Sequence, residues 1–366
     1  MKVLDRMNPH VNAVNPYQPG RPIEEVAREL GIDPDTITKL ASNESALGVA
    51  PSAIKVIQDL ASEAHIYPDG GAFELRAKLA EKLNLDKENL IFGAGSNEIL
   101  VFLSQCLMGE GKSVVASEKA FVIYKILSLM TGTDFIEVPT VDLGHDLQGI
   151  LDAIREDTTL VFVCNPNNPT GTLVSPKEVE AFMAKVPDHV LVIFDEAYAE
   201  ICLGEMPDTL QLVRENKNVL VLRTFSKAYG LAGLRIGYGA GPVELIQSLE
   251  KPRQPFNTTI LSQAAAVAAL EDEEFLRDSI EVYAQGKAYC CAEFEALALN
   301  YVEPFANFVL FEVPDGAKVN QLLTAKGVIV RPMAPYGLPN HLRVTFGTAK
   351  QNEVFIKALK ESLQEL

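Results

Sequence analysis

Three short runs of this chain are apolar without a break: LVFVC at 160–164, VLVIF at 190–194 and VLVL at 219–222. A half-exposed strand would alternate apolar and polar residues. Unbroken runs of strand length, bounded by turn formers, fit strands covered on both faces, the pattern of a mostly parallel sheet between layers of helices. Around them the chain alternates. Strands are expected at 90–92, 113–116 and 135–138, and helices at 52–64, 73–83, from about 97, 122–130, 147–154 and 176–184. A short amphipathic helix at 23–30 ends at Gly31. The expected fold class is α/β. After Pro255 the texture changes: 259–299 reads as helical, as one element or two. Shorter strands follow at 308–313, 328–331 and 342–346, then a last helix from about 351, which together read as a smaller α+β unit.

Composition narrows the function. Of 366 residues, 49 are acidic and 32 are Lys or Arg, a formal charge of −17. Such a surface repels phosphate backbones and anionic lipid, so neither a nucleic acid nor a membrane is an expected partner. An anionic substrate would need Arg or Lys gathered locally. No apolar run approaches the roughly 18 residues of a membrane span. The N-terminal stretch is polar and proline-studded, with no apolar signal core, so the expected location is the cytoplasm. The five cysteines (106, 164, 202, 290, 291) contain no CxxC pair, and the five histidines (10, 65, 145, 189, 341) are scattered, so neither a disulfide framework nor a metal site is expected.

Polar groups follow each buried run. LVFVC leads into NPNNPTG (165–171), VLVIF into DEAY (195–198), and VLVL into RTFSK (223–227) and then GLAGLR (230–235). In a parallel sheet all carboxyl ends lie along one edge, where open α/β folds bind ligands. An amide, a carboxylate, a phenol, an amine and a guanidinium should therefore meet in one crevice. Taken singly, each has a plainer use: NPTG is sound turn chemistry, and an Asp after a strand commonly caps a helix. Yet a carboxylate directly after five apolar residues is costly unless a cation partners it.

Pyridoxal phosphate (PLP) would supply that cation, and it needs a lysine for its Schiff base, an acid for its ring nitrogen and a phosphate site. Lys227 can take the first role and Asp195 the second. Asn168 and Tyr198 can hydrogen-bond the phenolic oxygen, and Arg235 can grip the phosphate among Ser and Thr hydroxyls. The turn GAGSN (93–97) places backbone N–H groups and Ser96 at a helix N-terminus, an anion site that has neither P-loop nor GxGxxG spacing. ATP and NAD readings are disfavoured accordingly.

NPNNPTG, DEAY and SKAYGLAGLRIGY, in this order and at these separations, resemble the fold-type-I PLP-dependent aminotransferases. PYQPGRPIEEVARELG, KLASNES and GVIVRPMAPYGLPNHLRVTFGT narrow the resemblance to the histidinol-phosphate aminotransferases of histidine biosynthesis. The resemblance implies a large cofactor-binding domain at 45–257 and a smaller domain from 1–44 and 258–366. It implies a catalytic set of Lys227, Asp195 and Tyr198, and a phosphate set of Ser96, Asn97, Thr224, Ser226 and Arg235. Phe121 would stack on the cofactor ring. Tyr67 would reach the cofactor phosphate of the neighbouring subunit in a homodimer. Arg343 would bind the carboxylate of glutamate or 2-oxoglutarate. Arg331 would help hold the phosphate end of imidazole-acetol phosphate or histidinol phosphate, with Tyr17 lining the same pocket and Asn43 and Asn168 also facing the substrate. The chain departs from the family's usual ASNENPLG at Ser45 and Ala46, and it carries Lys125 after Phe121. The acceptor therefore stays open between imidazole-acetol phosphate and an aromatic keto acid.

Overall fold

The computed structural model describes residues 3–366; Met1 and Lys2 lie outside the described residues. The strands, in chain order, are β1 (Thr38–Lys39), β2 (Leu90–Gly93), β3 (Ser113–Ser117), β4 (Asp134–Val138), β5 (Thr158–Cys164), β6 (Leu191–Asp195), β7 (Val219–Thr224), β8 (Gly237–Ala240), β9 (Phe308–Glu312), β10 (Val328–Ile329), β11 (Arg331–Pro332) and β12 (His341–Thr345). Seven of them form the central sheet, in the order β2-β8-β7-β6-β5-β3-β4. Only β8 runs against the others: its pairings with β2 and β7 are antiparallel, and the remaining pairings are parallel.

The apolar runs behave as expected of strands buried on both faces. On one face Leu160, Phe162, Ile193, Leu220 and Leu222 pack with Ile99, Leu103, Tyr124 and Leu127 of the helices Ser96–Leu107 and Ile123–Thr131. On the other, Val161, Val163, Val192, Phe194 and Val221 join a core that runs on through Val179, Phe182, Leu210 and Val213.

The smaller part holds the antiparallel sheet β11-β12-β9 and the parallel pair β1-β10. Its two ends of chain are tied together where Leu40 O accepts the Thr345 N–H at 2.8 Å. The stretch read as 259–299 is two helices, Ile260–Glu271 and Glu273–Ala296. They part at Asp272, whose carboxylate accepts the Phe275 N–H at 3.1 Å and so caps the second. The first packs on the helices Pro51–Leu60 and Phe73–Leu83. The expected strand at 328–331 divides, because β10 pairs with β1 while β11 turns to pair with β12. Strands β1 and β8 and the helices Val243–Leu249 and Gly316–Ala325 were not expected from the sequence.

Among the described residues, no helix is long and apolar enough to cross a membrane. Among the same described residues, no group of three or more His, Cys, Asp or Glu side chains is placed to hold a metal ion.

Candidate active site

Beyond the carboxyl ends of β5, β6 and β7 lies a cavity of about 270 Å³. Tyr17, Asn43, Ser96, Asn97, Phe121, Asn168, Asp195, Tyr198, Thr224, Ser226, Lys227, Arg235, Arg331 and Arg343 all line it. Of the residues expected at the site, Tyr67 stands apart. It is 79% exposed on the outer surface, stacked on Phe256 with ring centroids 4.8 Å apart.

Asp195 ends β6 and is almost fully buried. Its Oδ2 accepts the Tyr124 hydroxyl at 2.7 Å, while its Oδ1, also buried, has no hydrogen-bond partner. Burial pushes this carboxyl up to about 6 against the opposing pull of the Tyr124 hydrogen bond. A desolvated acid with one free oxygen at a cavity wall is a site for a cationic N–H donor. Lys227 lines the same cavity, and its Nζ donates to Ser42 O at 3.1 Å. Burial first, and the Arg343 guanidinium second, bring its amine down to about 8.

An anion cradle lies at the amino end of the helix Ser96–Leu107. Gly95, at φ +79°, turns the chain so that the helix opens on its backbone N–H groups. A Cβ at Gly95 would overlap Arg235 Nη2, and one at Gly237 would overlap the Ser96 amide. Both glycines therefore permit close approach to the cradle. Glu98 fixes the turn by accepting the Ala94 N–H at 2.7 Å and Asn257 Nδ2 at 2.6 Å. Arg235 reaches Ser226 Oγ at 3.4 Å, and Thr224 Oγ1 donates to the same oxygen at 3.0 Å.

The opposite wall comes from the chain ends. Arg343 of β12 is buried, with Nη1 donating to Asn168 Oδ1 at 2.5 Å, Nη2 to Ala41 O at 3.0 Å, and its guanidinium 4.9 Å from the Phe308 ring centroid. Its Nε has no partner. Asn43, held at φ 54°, donates from Nδ2 to Tyr198 Oη at 2.9 Å, and its N–H reaches Thr345 Oγ1 at 2.9 Å. Arg331 donates to Gln18 O at 2.8 Å and lies over the Tyr17 ring at 5.7 Å. With Arg235, three guanidinium groups thus face one small cavity in a strongly acidic protein, the local gathering of positive charge that an anionic substrate requires.

The departures from the family stretch lie outside this cavity. Ser45 and Ala46 line a neighbouring crevice with Ile37 and Gln351. The Ala46 N–H, which a proline would lack, donates to Tyr283 Oη at 3.3 Å. Lys125 pairs with Glu137 at 2.7 Å, facing away. Ser42, Cys164 and Tyr336 also line the cavity, and Tyr124 braces Asp195 behind it, none of them expected from the sequence. Tyr124 carried a usable signal, since a tyrosine on the apolar face of a helix needs a partner for its hydroxyl.

The free Oδ1 of Asp195, the depressed amine of Lys227 and the cradle at Ser96 and Arg235 together fit PLP: ring nitrogen, aldehyde and phosphate each meet a matching group. Comparison with known proteins agrees. The profile of aminotransferase class I and II matches residues 35–359. A histidinol-phosphate aminotransferase of Akkermansia muciniphila is 47% identical over 99% of this chain and 100% of its own length. One from Moorella thermoacetica is 46% identical over 96% of this chain and 91% of its own. The crystal structure of histidinol-phosphate aminotransferase from Sinorhizobium meliloti, in complex with pyridoxal-5'-phosphate, superposes with a TM-score of 0.90 at 28% identity, covering 98% of each chain. The α/β fold, the cavity and these matches make this chain an enzyme of the class I and II aminotransferase family.

Proposed function

We propose that this enzyme uses PLP to move an amino group reversibly between L-glutamate and imidazole-acetol phosphate, giving 2-oxoglutarate and L-histidinol phosphate. The observation that carries the reading is a buried acid with one unpartnered oxygen, in the same cavity as a lysine of lowered basicity. The named relatives favour the phosphorylated acceptor over an aromatic keto acid.

When bound, PLP supplies a carbonyl that captures amino groups and a cationic ring that withdraws electrons. Lys227 holds the cofactor at rest. Its amine, of lowered basicity, would be able to hold and move the substrate α-proton near neutral pH once PLP is bound. Asp195 would hold the ring nitrogen and favour its protonated form. Tyr198, oriented by Asn43, and Asn168, oriented by Arg343, serve the phenolic oxygen. Ser96, Asn97, Thr224, Ser226 and Arg235 bind the cofactor phosphate, and Phe121 covers the ring. Arg343 takes the glutamate carboxylate in one half-reaction, and Arg331 with Tyr17 takes the substrate phosphate in the other. Planar guanidinium forks suit both anions.

We place the large domain at 45–257 and the small domain in 1–44 and 258–366. The central sheet lies within the first, and the two smaller sheets are built from the second. The helix Ile260–Glu271, at the start of the second small-domain segment, packs on the large-domain helices Pro51–Leu60 and Phe73–Leu83. The reading includes a homodimer in which Tyr67, exposed and outside its own cavity, reaches the neighbouring active site. It also includes a cytoplasmic location, in keeping with five free cysteines.

The test is borohydride reduction of the yellow holoprotein. A cofactor mass fixed on Lys227 is expected, with single-turnover amino transfer from glutamate to imidazole-acetol phosphate faster than to phenylpyruvate. Full activity of Lys227→Ala in both half-reactions would overturn the assignment.

A further inference from the structure

We propose that Tyr124 is a positioning residue for Asp195: its hydroxyl pins one carboxylate oxygen so that the other is presented, ionised, to the cofactor's ring nitrogen. This rests on the PLP reading above. Tyr124 opens the buried face of the helix Ile123–Thr131, and its side chain is fully buried. Its ring lies flat on Phe162, centroids 4.3 Å apart and planes within 5°, with Phe121 edge-on at 5.7 Å. Ser128 Oγ, one turn on, ties back to Tyr124 O at 2.8 Å. The phenol is clamped, so its hydroxyl holds a fixed direction toward Asp195 Oδ2 at 2.7 Å.

A carboxylate is free to spin about its Cβ–Cγ bond until one oxygen is held. Here Tyr124 holds Oδ2, and the other oxygen has no partner. Besides Tyr124, the Ala197 backbone N–H also favours the ionised carboxylate, to a smaller degree, and no other side chain among the described residues donates to it. Cys164, directly beside Asp195 across the strand pairing, turns its thiol to Pro166 O at 3.6 Å. Burial keeps that thiol protonated well above its usual range. Glu196, next in sequence, pairs with Arg223 at 2.8 Å. Lys227 and Arg343 line the same cavity but are engaged by Ser42, Asn168 and Ala41. Tyr124 keeps its proton to donate, because burial first, and Asp195 next, hold its hydroxyl far above the ordinary phenol range.

The chemical consequence concerns one proton. A donor to Oδ2 takes up part of the carboxylate charge and lowers its proton affinity. The proton shared by Asp195 and the ring nitrogen then stays on nitrogen, where it makes the ring an electron sink. Without the hydroxyl the carboxylate is more basic and freer to turn. It draws the proton back and leaves a neutral, weaker sink. The same few residues therefore cover the ring with Phe121 and set its charge through Tyr124, three positions later.

The experiment uses the wild-type protein, Tyr124→Phe, and a protein carrying 3-fluorotyrosine at position 124, a stronger donor of the same shape. Isotope-edited infrared spectroscopy of the cofactor-free proteins, with Asp195→Asn as the blank, follows the Asp195 carboxyl against pH. From a wild-type midpoint of about 6, the Phe variant is expected to rise by about one to two pH units, the worth of one hydrogen bond to a charge. The fluorotyrosine protein is expected to move in the opposite direction. In the holoenzymes, kcat for the glutamate half-reaction is expected to fall roughly ten- to hundredfold in the Phe variant, with KM nearly unchanged. An Asp195 midpoint unmoved in both proteins overturns the proposal. If the Phe variant fails to fold, the fluorotyrosine midpoint alone decides, and no shift there overturns it. If wild-type Lys227 traps no cofactor under borohydride, the PLP reading falls and the role toward the ring nitrogen falls with it. The carboxyl titration still reports separately on the Tyr124–Asp195 bond.

Discussion

The basicity of Lys227 can be taken apart by removing one of its two main causes. Burial is the larger and the Arg343 guanidinium the next, and together they bring the amine from 10.5 to about 8. At pH 7.5 that leaves about a quarter of the amine neutral, against roughly one part in a thousand for an unperturbed lysine, a gain on the order of two hundredfold. Arg343→Met keeps the burial and removes the charge. A rise of about one unit is the expected scale for a guanidinium in the same cavity, and it would cut the neutral fraction roughly eightfold. The assay is reductive methylation of Lys227 with formaldehyde across a pH series in the cofactor-free protein, read by mass spectrometry. A wild-type midpoint near 10.5, or a variant that does not move, would refute the reasoning. A variant that returns the whole way to 10.5 would show that charge, not burial, dominates. The sign of the stability effect also follows. The folded protein binds the proton more weakly than the unfolded chain. Keeping the amine charged therefore costs stability below pH 8, and that cost is relieved as pH rises from about 8 to 10.5.

Other perturbations test the rest of the site. Gly95→Ala sets a side chain against Arg235 at a positive φ, and should cost about 1–2 kcal/mol of stability and more than about tenfold in cofactor affinity, measured by thermal melts and cofactor titration. Asp195→Asn should retain PLP yet lower amino transfer by at least about a hundredfold in single-turnover assays. Because burial raises the Asp195 carboxyl from 3.8 to about 6, the cofactor-free wild type should lose stability as pH climbs through that window, and the Asn variant should not. Arg223→Met strands the buried Glu196, and takes a cation from the half-buried Glu200, and should cost roughly 3–5 kcal/mol in denaturant unfolding.

What the sequence revealed depended on how local the cause was. The strands β5, β6 and β7 were readable because burial on both faces writes itself as an unbroken apolar run. Strand β8 was not, since Gly237-Tyr-Gly-Ala240 has poor strand propensity. Its glycines answer to another demand, the close passage of backbone under the Ser96 amide. The two-residue strands β1 and β10 leave no periodicity to detect. Asp195, Lys227 and Arg235 could be nominated because strand ends in a parallel sheet share an edge. The hydrogen bond from Asn43 to Tyr198 joins residues 155 apart in the chain, and only the folded protein reveals it. Tyr124 shows a third case. Its neighbours on the helix are apolar, so it reads as core until its hydroxyl is seen to touch an acid.

The wall formed by Ala41, Asn43, Arg343 and Thr345 joins positions 302 residues apart. A growing polypeptide can complete the central sheet as soon as β8 has emerged, but it cannot close the pocket until β12, about a hundred residues later, has been made. Nascent chains halted before that point would hold the lysine and the acid with no anion-binding floor opposite them. Capture of an anionic substrate is thus deferred until Arg343 has been made, and truncation just before β12 would spare the central sheet while abolishing the enzyme.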